Sequence, residues 1–447
     1  MPKALDLPGI VDLLARAAQG REITDNEAWN YGWSNAGYRH STRASMTHDS
    51  GRAVRLNPSA VECFERGTAA LLELSKIRRR YDSAEFWGMA ASLVGGLPIS
   101  ASAEHMGAAV DRWVRKVLDP PETFVAFPIA NVAPFNSIIE IGPMFLGSFD
   151  ESFSNRLKER AGRDVLAPMP GEPWWMRRDY FGASSPGPAP ALLAYATEAQ
   201  LDLAVEQAGE AFEDLTSLAL MVQPDLDALS LHSLRGDTNR PGIRGLVADR
   251  KALERAAQGD ERISHEIGSP MLVDGVFGRT ISFHWYSENP FPLEQLLAPV
   301  EKRSVAERLI LGSAAIHNRL RVACRWHAKA HWSTDHADAV LALGVCFDAM
   351  LSEQGPSPGR VLSERYALLD PDRSRRRGRY RQFQKEYYPA RSTVAHGSKS
   401  RTHDAAFVRG MAKDARWVFQ RIVQLTETAG ANTEDEYNEM YENLKWG

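Results

Sequence analysis

Toward the carboxyl end, the run Tyr387-Tyr-Pro-Ala-Arg391-Ser392-Thr-Val-Ala-His396-Gly397 places a permanent cation, a hydroxyl and an imidazole in one short segment. That set suits metal-independent cleavage of a ribose-phosphate backbone. RNA carries its own nucleophile, the 2′-hydroxyl. A base must take that proton, an acid must protonate the departing 5′-oxygen, and a cation must stabilise the crowded phosphorane. An imidazole, titrating at about pH 6.5 when unperturbed, can serve as base or acid. A guanidinium stays charged and offers a planar fork to phosphate oxygens. Arg391 and His396 are therefore the candidate catalytic pair, with the Ser392 hydroxyl able to orient either. Five residues advance about 500° around a regular helix, which leaves the two side chains about 140° apart. They share a face only if the helix ends or distorts near Gly397, a residue favoured at a left-handed stop. A capped helix end, with His396 on the last carbonyls and Arg391 paired to an acid, uses the same residues without chemistry.

Just before this motif six arginines, Arg373, Arg375, Arg376, Arg377, Arg379 and Arg381, occupy nine residues. They read as a phosphate-binding loop, with Tyr380 placed to stack on a base and Lys399 and Arg401 extending the strip. A solvated surface loop is the plainer reading of such a charge run. His327, His331 and Asp335 recur at steps of four and would share a helical face, but no third His or Cys cluster accompanies them, so no metal or cofactor is expected. Trp174-Trp175 beside Arg177-Arg178 suit either stacking on a ligand or packing under a loop. The chain has no phosphate-cradling glycine loop and no serine nucleophile elbow, which disfavours an ATPase or a hydrolase of that type.

Which elements must hold these residues? Apolar residues at helical spacing predict helices over 58–80, 102–117 and 197–221, after a short amphipathic helix around Ile10, Leu13, Leu14 and Ala17. The runs 123–127 and 137–141 read as strands, and Asp274-Gly275 between 271–273 and 276–277, extended by 280–285, as a hairpin turn. A proline-rich stretch from 167 to 191 reads as a connector. From about Ser304 the pattern becomes wholly helical. Ser304-Val-Ala-Glu307 reads as a capping box, Asp335 caps the next helix, 361–369 forms a shorter one, 380–395 a fourth with Pro389 as its kink, and a fifth begins near Asp404. Helices with short connections are the pattern of a bundle.

Within that bundle the motif, together with Arg319-Leu-Arg-Val-Ala-Cys-Arg-Trp-His-Ala-Lys-Ala330, Ala342-Leu-Gly-Val-Cys-Phe-Asp-Ala-Met-Leu351 and Leu362-Ser-Glu-Arg-Tyr-Ala-Leu-Leu369, resembles the Apea-like branch of the HEPN superfamily. The resemblance covers about residues 305–430. It implies a helical bundle, a ribonuclease site at Arg391, Ser392 and His396, and a homodimer in which two copies of the motif form one composite cleft. Asp348 stands where that branch usually has Glu, and with Tyr387 it is expected to support the site. Antiphage defence by abortive infection, with the protein as toxin or effector and cellular RNA, tRNA included, as target, is implied by the resemblance alone.

The 447 residues exceed one core, and a net charge of −4 gives no global attraction for nucleic acid, so any such affinity must be local. Three scattered cysteines argue against a disulfide framework, and neither a basic-then-apolar leader nor a membrane span is evident, which predicts a cytoplasmic protein. The expected fold is α+β: a mixed amino-terminal region with a small sheet at 1–181 acting as sensor for a phage-derived or protein trigger, a middle α+β region at 182–300 continuous with it or separate, an all-α HEPN-like bundle at 301–430, and an acidic tail at 431–447. The competing expectations are a catalytically inactive module that binds a nucleotide or partner, and an RNA-binding protein without catalysis.

Overall fold

A computed structural model describes residues 6–24, 45–47, 53–98, 100–120, 122–130, 132–148, 150–162, 191–222, 242–243, 272–273, 276–277, 291–333, 335–353, 359–396 and 403–446. The connector around 163–190, the Trp174-Trp175 pair and the hairpin extension at 280–285 lie outside those residues. The chain divides into two compact units, 1–123 with 196–206, and 124–195 with 207–447, rather than at the proline-rich stretch.

In the first unit, Asp6 accepts the Gly9 amide at 3.0 Å and starts α1 (Leu7–Gln19), and Asn57 does the same for Ala60 at the head of α2 (Pro58–Leu72). A Cβ at Gly20 would fall 2.5 Å from that of Ala60, so only glycine lets the end of α1 meet the start of α2. Three short antiparallel strands, β1 (Arg21–Thr24), β2 (Ser45–Thr47) and β3 (Ala53–Leu56), pair in the order β1-β3-β2. The single helix expected over 58–80 is broken after Leu72, with a short α3 (Ser75–Arg78) beyond it. Then come α4 (Ser83–Gly96), capped by Asp82, and α5 (Ala103–Leu118), capped by Ser102. Leu14, Phe64, Phe86, Val94 and Val110 are sealed in a common core.

The second unit joins a sheet to a helical bundle. Its strands are β4 (Thr123–Ala130), β5 (Ile139–Ile141), β6 (Met144–Ser148), β7 (Ala191–Thr197), β8 (Gly242–Ile243), β9 (Leu272–Val273) and β10 (Val276–Phe277). They run in the order β10-β9-β4-β7-β6-β5, with β8 also on β4, and Val276 pairs with Val273 as the hairpin reading requires. Between β6 and β7 lies α6 (Glu151–Ala161). Thr197 ends a strand instead of beginning a helix; α7 spans Leu201–Val222.

The bundle follows as α8 (Leu293–Leu297), α9 (Val300–Leu311), α10 (Ala315–His331), α11 (His336–Leu351), α12 (Gly359–Leu368), α13 (Arg373–Gln382), α14 (Tyr388–Ala395), α15 (Ala405–Ala429) and α16 (Glu434–Trp446). Ser304 is no cap: α9 starts four residues earlier behind Pro299, and Glu307 pairs instead with Arg303 at 3.4 Å. Asp335 caps α11 as its position predicts, and α15 begins at Asp404 as expected, with Asp404 as its cap. The acidic terminal segment is a helix packed on the bundle. Tyr437 is fully buried and donates to the Met350 carbonyl at 2.5 Å, while Arg319 stacks on its ring. Among the described residues, no helix is long and apolar enough to cross a membrane. The architecture is α+β and mostly helical.

Candidate active site on the motif helix

The arginine run forms a helix, not the loop expected from its charge. Asp372 caps it by accepting the Ser374 amide at 2.9 Å, and arginine is itself a good helix former. This α13 continues without a break through a π turn at Phe383–Tyr387 into α14, so one rod carries everything from Arg373 to the motif. The π turn has a local cause. Pro389 has no amide hydrogen, and in a straight α-helix its ring would press on the carbonyl four residues back. The Tyr388 amide reaches instead to the Phe383 carbonyl, five residues back.

Side chains around the turn lock it in place. Tyr387 is buried and stacks on Phe347 at 5.7 Å, with Phe383 and Tyr366 edge-on around Phe347. Asp414 of α15 is the polar centre of this cluster. Its Oδ2 accepts from Tyr366 at 2.8 Å, Tyr387 at 2.7 Å and Gln382 at 3.0 Å, and its Oδ1 from Arg379 at 3.3 Å. Burial, reinforced by the Asp414 charge, pushes both phenols far above their ordinary range, so they remain donors. Tyr387 thus anchors the rod.

Beyond the turn the motif residues part company. Arg391 points into the bundle and forms an ion pair with Asp348 of α11, about one third of its side chain remaining exposed. The aspartate is long enough because the helices meet at Gly344, one turn before it. A Cβ there would lie 2.9 Å from the Arg391 β and δ carbons. Burial raises the Asp348 carboxyl above its usual range despite the opposing pull of Arg391. The Arg391 Nε is buried and has no hydrogen-bond partner. His396 caps the end of the helix just past Ala395, its amide donating to the Ser392 carbonyl at 3.1 Å, and its ring is exposed. Ser392 is half-buried, and among the described residues neither its hydroxyl nor the His396 ring has a hydrogen bond. One chain therefore joins Arg391 to Asp348, but not to His396. Gly397, Lys399 and Arg401 lie outside the described residues.

The six arginines divide by role. Arg376 bridges the Asp370 and Leu444 carbonyls at 3.0 Å each, capping α12 and α16 together. Arg379 also lies on Trp417, 4.2 Å from the ring centroid. These two brace the bundle and are not free for phosphate. Arg375 pairs with Asp372 at 3.2 Å, and Arg373 too has a partner within the fold. Arg377 and Arg381 are exposed and without partners among the described residues.

No group of side chains among the described residues is arranged to hold a metal ion. Asp335 is occupied as a cap, and His327 is fully buried beside Arg416, where burial first and that cation second hold its ring neutral. Sequence reasoning missed Gly344 and Asp414. An isolated glycine amid the apolar residues of α11 is a signal of close approach, whereas nothing in the spacing around Asp414 sets it apart from a surface aspartate.

No protein-family model, curated protein or solved structure matches the chain.

Proposed function

We propose that the bundle is a metal-independent endoribonuclease of HEPN type that acts as a homodimer. The observation that carries this reading is the arrangement of the rod: His396 is exposed at its end, and five residues earlier Asp348 holds Arg391 with an unsatisfied Nε donor. A twin bundle would supply the second Arg391 and His396 and so complete a phosphate site that one chain leaves divided. In the reaction, one imidazole removes the 2′-hydroxyl proton, the 2′-oxygen attacks phosphorus, the bond to the 5′-oxygen breaks, and a second imidazole protonates that oxygen. Guanidinium groups take the phosphorane charge. The products are a 2′,3′-cyclic phosphate and a 5′-hydroxyl. The resemblance to the Apea-like branch supports a role as effector in antiphage defence by abortive infection, with cellular RNA as target.

One observation favours a second reading. Arg391 is already neutralised by Asp348, as in a structural ion pair, which suits a catalytically silent module that binds a nucleotide, a partner or RNA. Incubating the full chain with labelled RNA in chelator and mapping the ends separates the two. The enzyme reading expects cyclic-phosphate ends from the unmodified protein and none from His396→Ala. Identical ends from both, or no cleavage by either, would reject it.

A further inference from the structure

We infer that the outer face of the rod, with the adjoining face of α15, is a track for the backbone of single-stranded RNA that leads to His396. This inference rests on the preceding reading for the identity of the polyanion.

The track is written in the spacing. Arg377, Arg381, Lys385 and Pro389 follow one another at steps of four, and His396 comes seven residues later, intervals that return to one face of a helix. All five are exposed, whereas Arg379, Phe383, Tyr387 and Arg391 turn toward the bundle. The rod thus faces solvent with cations and ends on an imidazole. Alongside it, Asp414 and Phe407 tie α15 to Gln382 and Tyr387 in antiparallel order. On α15, Arg409 and Lys413 are exposed, opposite the buried Met411, Ala415 and Val418. None of the five cations on the two helices has a hydrogen bond or ion pair to another described residue.

Five cations without an ion pair among the described residues are notable in a chain of net charge −4. A helical step of four residues rises about 6 Å, a distance comparable to that between successive phosphates of an extended strand. The large hydrophobics most exposed among the described residues, Val300 and Leu311, belong to α9 and do not interleave with these cations. A membrane surface, which selects cations interleaved with apolar wedges, is therefore a poorer match than a polynucleotide. The bracing role of Arg376 and Arg379 explains why the cations available for binding are these and not the whole arginine run.

Binding is measured by fluorescence anisotropy over a series of salt concentrations, using full-length His396→Ala protein and a labelled single-stranded oligoribonucleotide. In that background Arg381→Ala, Lys385→Ala, Arg409→Ala and Lys413→Ala are combined, with Arg112→Ala and Lys116→Ala on α5 as a control. The fourfold variant is expected to bind at least tenfold more weakly and to lower the slope of log K against log salt by about three, since each phosphate contact on a single strand contributes about 0.7. The control is expected to match its parent. An unchanged slope in the fourfold variant, an equal loss in the control, or tighter binding of polyglutamate or anionic vesicles than of RNA would overturn the inference. The outcome is independent of catalysis. Binding lost in the variant with no cleavage by the unmodified protein rejects only the enzyme; cleavage with unaltered binding rejects only the track.

Discussion

Asp348 and Arg391 pair across α11 and α14 at the point where Gly344 lets the two helices touch. Each group depends on the other in a half-buried setting, so removing one leaves an uncompensated charge. Asp348→Ala is expected to cost about 1–3 kcal/mol of stability. Gly344→Ala, which presses a methyl onto the arginine stem, is expected to cost a similar amount through overpacking, about 1–3 kcal/mol. Urea unfolding monitored by circular dichroism checks both. A midpoint unmoved by Gly344→Ala would mean that the close approach is not required.

Asp414 serves four donors at once. Asp414→Ala would take the shared acceptor from two phenols and leave Arg379 with Asp370 as its one carboxylate among the described residues, and a loss of about 3–5 kcal/mol is expected. Tyr387→Phe removes the two hydrogen bonds of one hydroxyl, donated to Asp414 and accepted from Gln382, and keeps the ring stack, for about 1–2 kcal/mol. Comparing the two in the same urea titration tests whether the aspartate, not the ring packing, is the keystone of the turn.

Stability should depend on pH through α10. Burial holds His331 down to about 4, with Arg416 adding to the effect, and His327 moves in the same direction. Both rings are neutral in the folded chain, and an unfolded imidazole takes up a proton below about 6.5. The unfolded state therefore binds more protons between those values, and stability falls as pH drops from about 6.5 to about 4. Above that window these groups contribute no slope. Thermal unfolding across this range is expected to show the decline, and His331→Gln to flatten part of it. A wild-type midpoint level across the window would contradict the argument.

Truncation at residue 431 should unfold part of the bundle rather than trim a tail. It removes the buried Tyr437 and Tyr441, exposes the faces they cover and leaves Arg319 and Arg365 without their stacking rings. Loss of amide protection in α12 and α15, read by hydrogen exchange, is the expected signature.

Much of the bundle was legible from short-range chemistry. Asp335 and Asp404 cap helices there, as Ser102 does in the first unit, because a small acceptor side chain ahead of an apolar stripe satisfies the free amides of a first turn. The arginine run was misread for a physical reason. It has no apolar stripe, and its inward face is made of guanidinium stems, so hydrophobic periodicity is silent there. Ser83–Gly96 was overlooked because small and aromatic residues surround α4 on all sides and leave no polar stripe to define a period. The candidate site was half legible: spacing alone set Arg391 and His396 about 140° apart, but their divergence into bundle and solvent depends on Asp348, Gly344 and a turn that no local pattern announces.

That turn also sets a rule for chain length. A loop closed by a bond to the fifth residue back, where an α-helix would bond to the fourth, contains one residue more than the path between its ends requires. The surplus resides among Gln384, Lys385 and Glu386, all of them exposed. Chains shortened by one residue at that spot, with Pro389 also replaced so that no ring opposes ordinary helix, can close the gap and keep Arg391 docked. Chains shortened by one residue after Tyr387 cannot, because the lost residue would swing the guanidinium by about 100° and out of reach of its carboxylate.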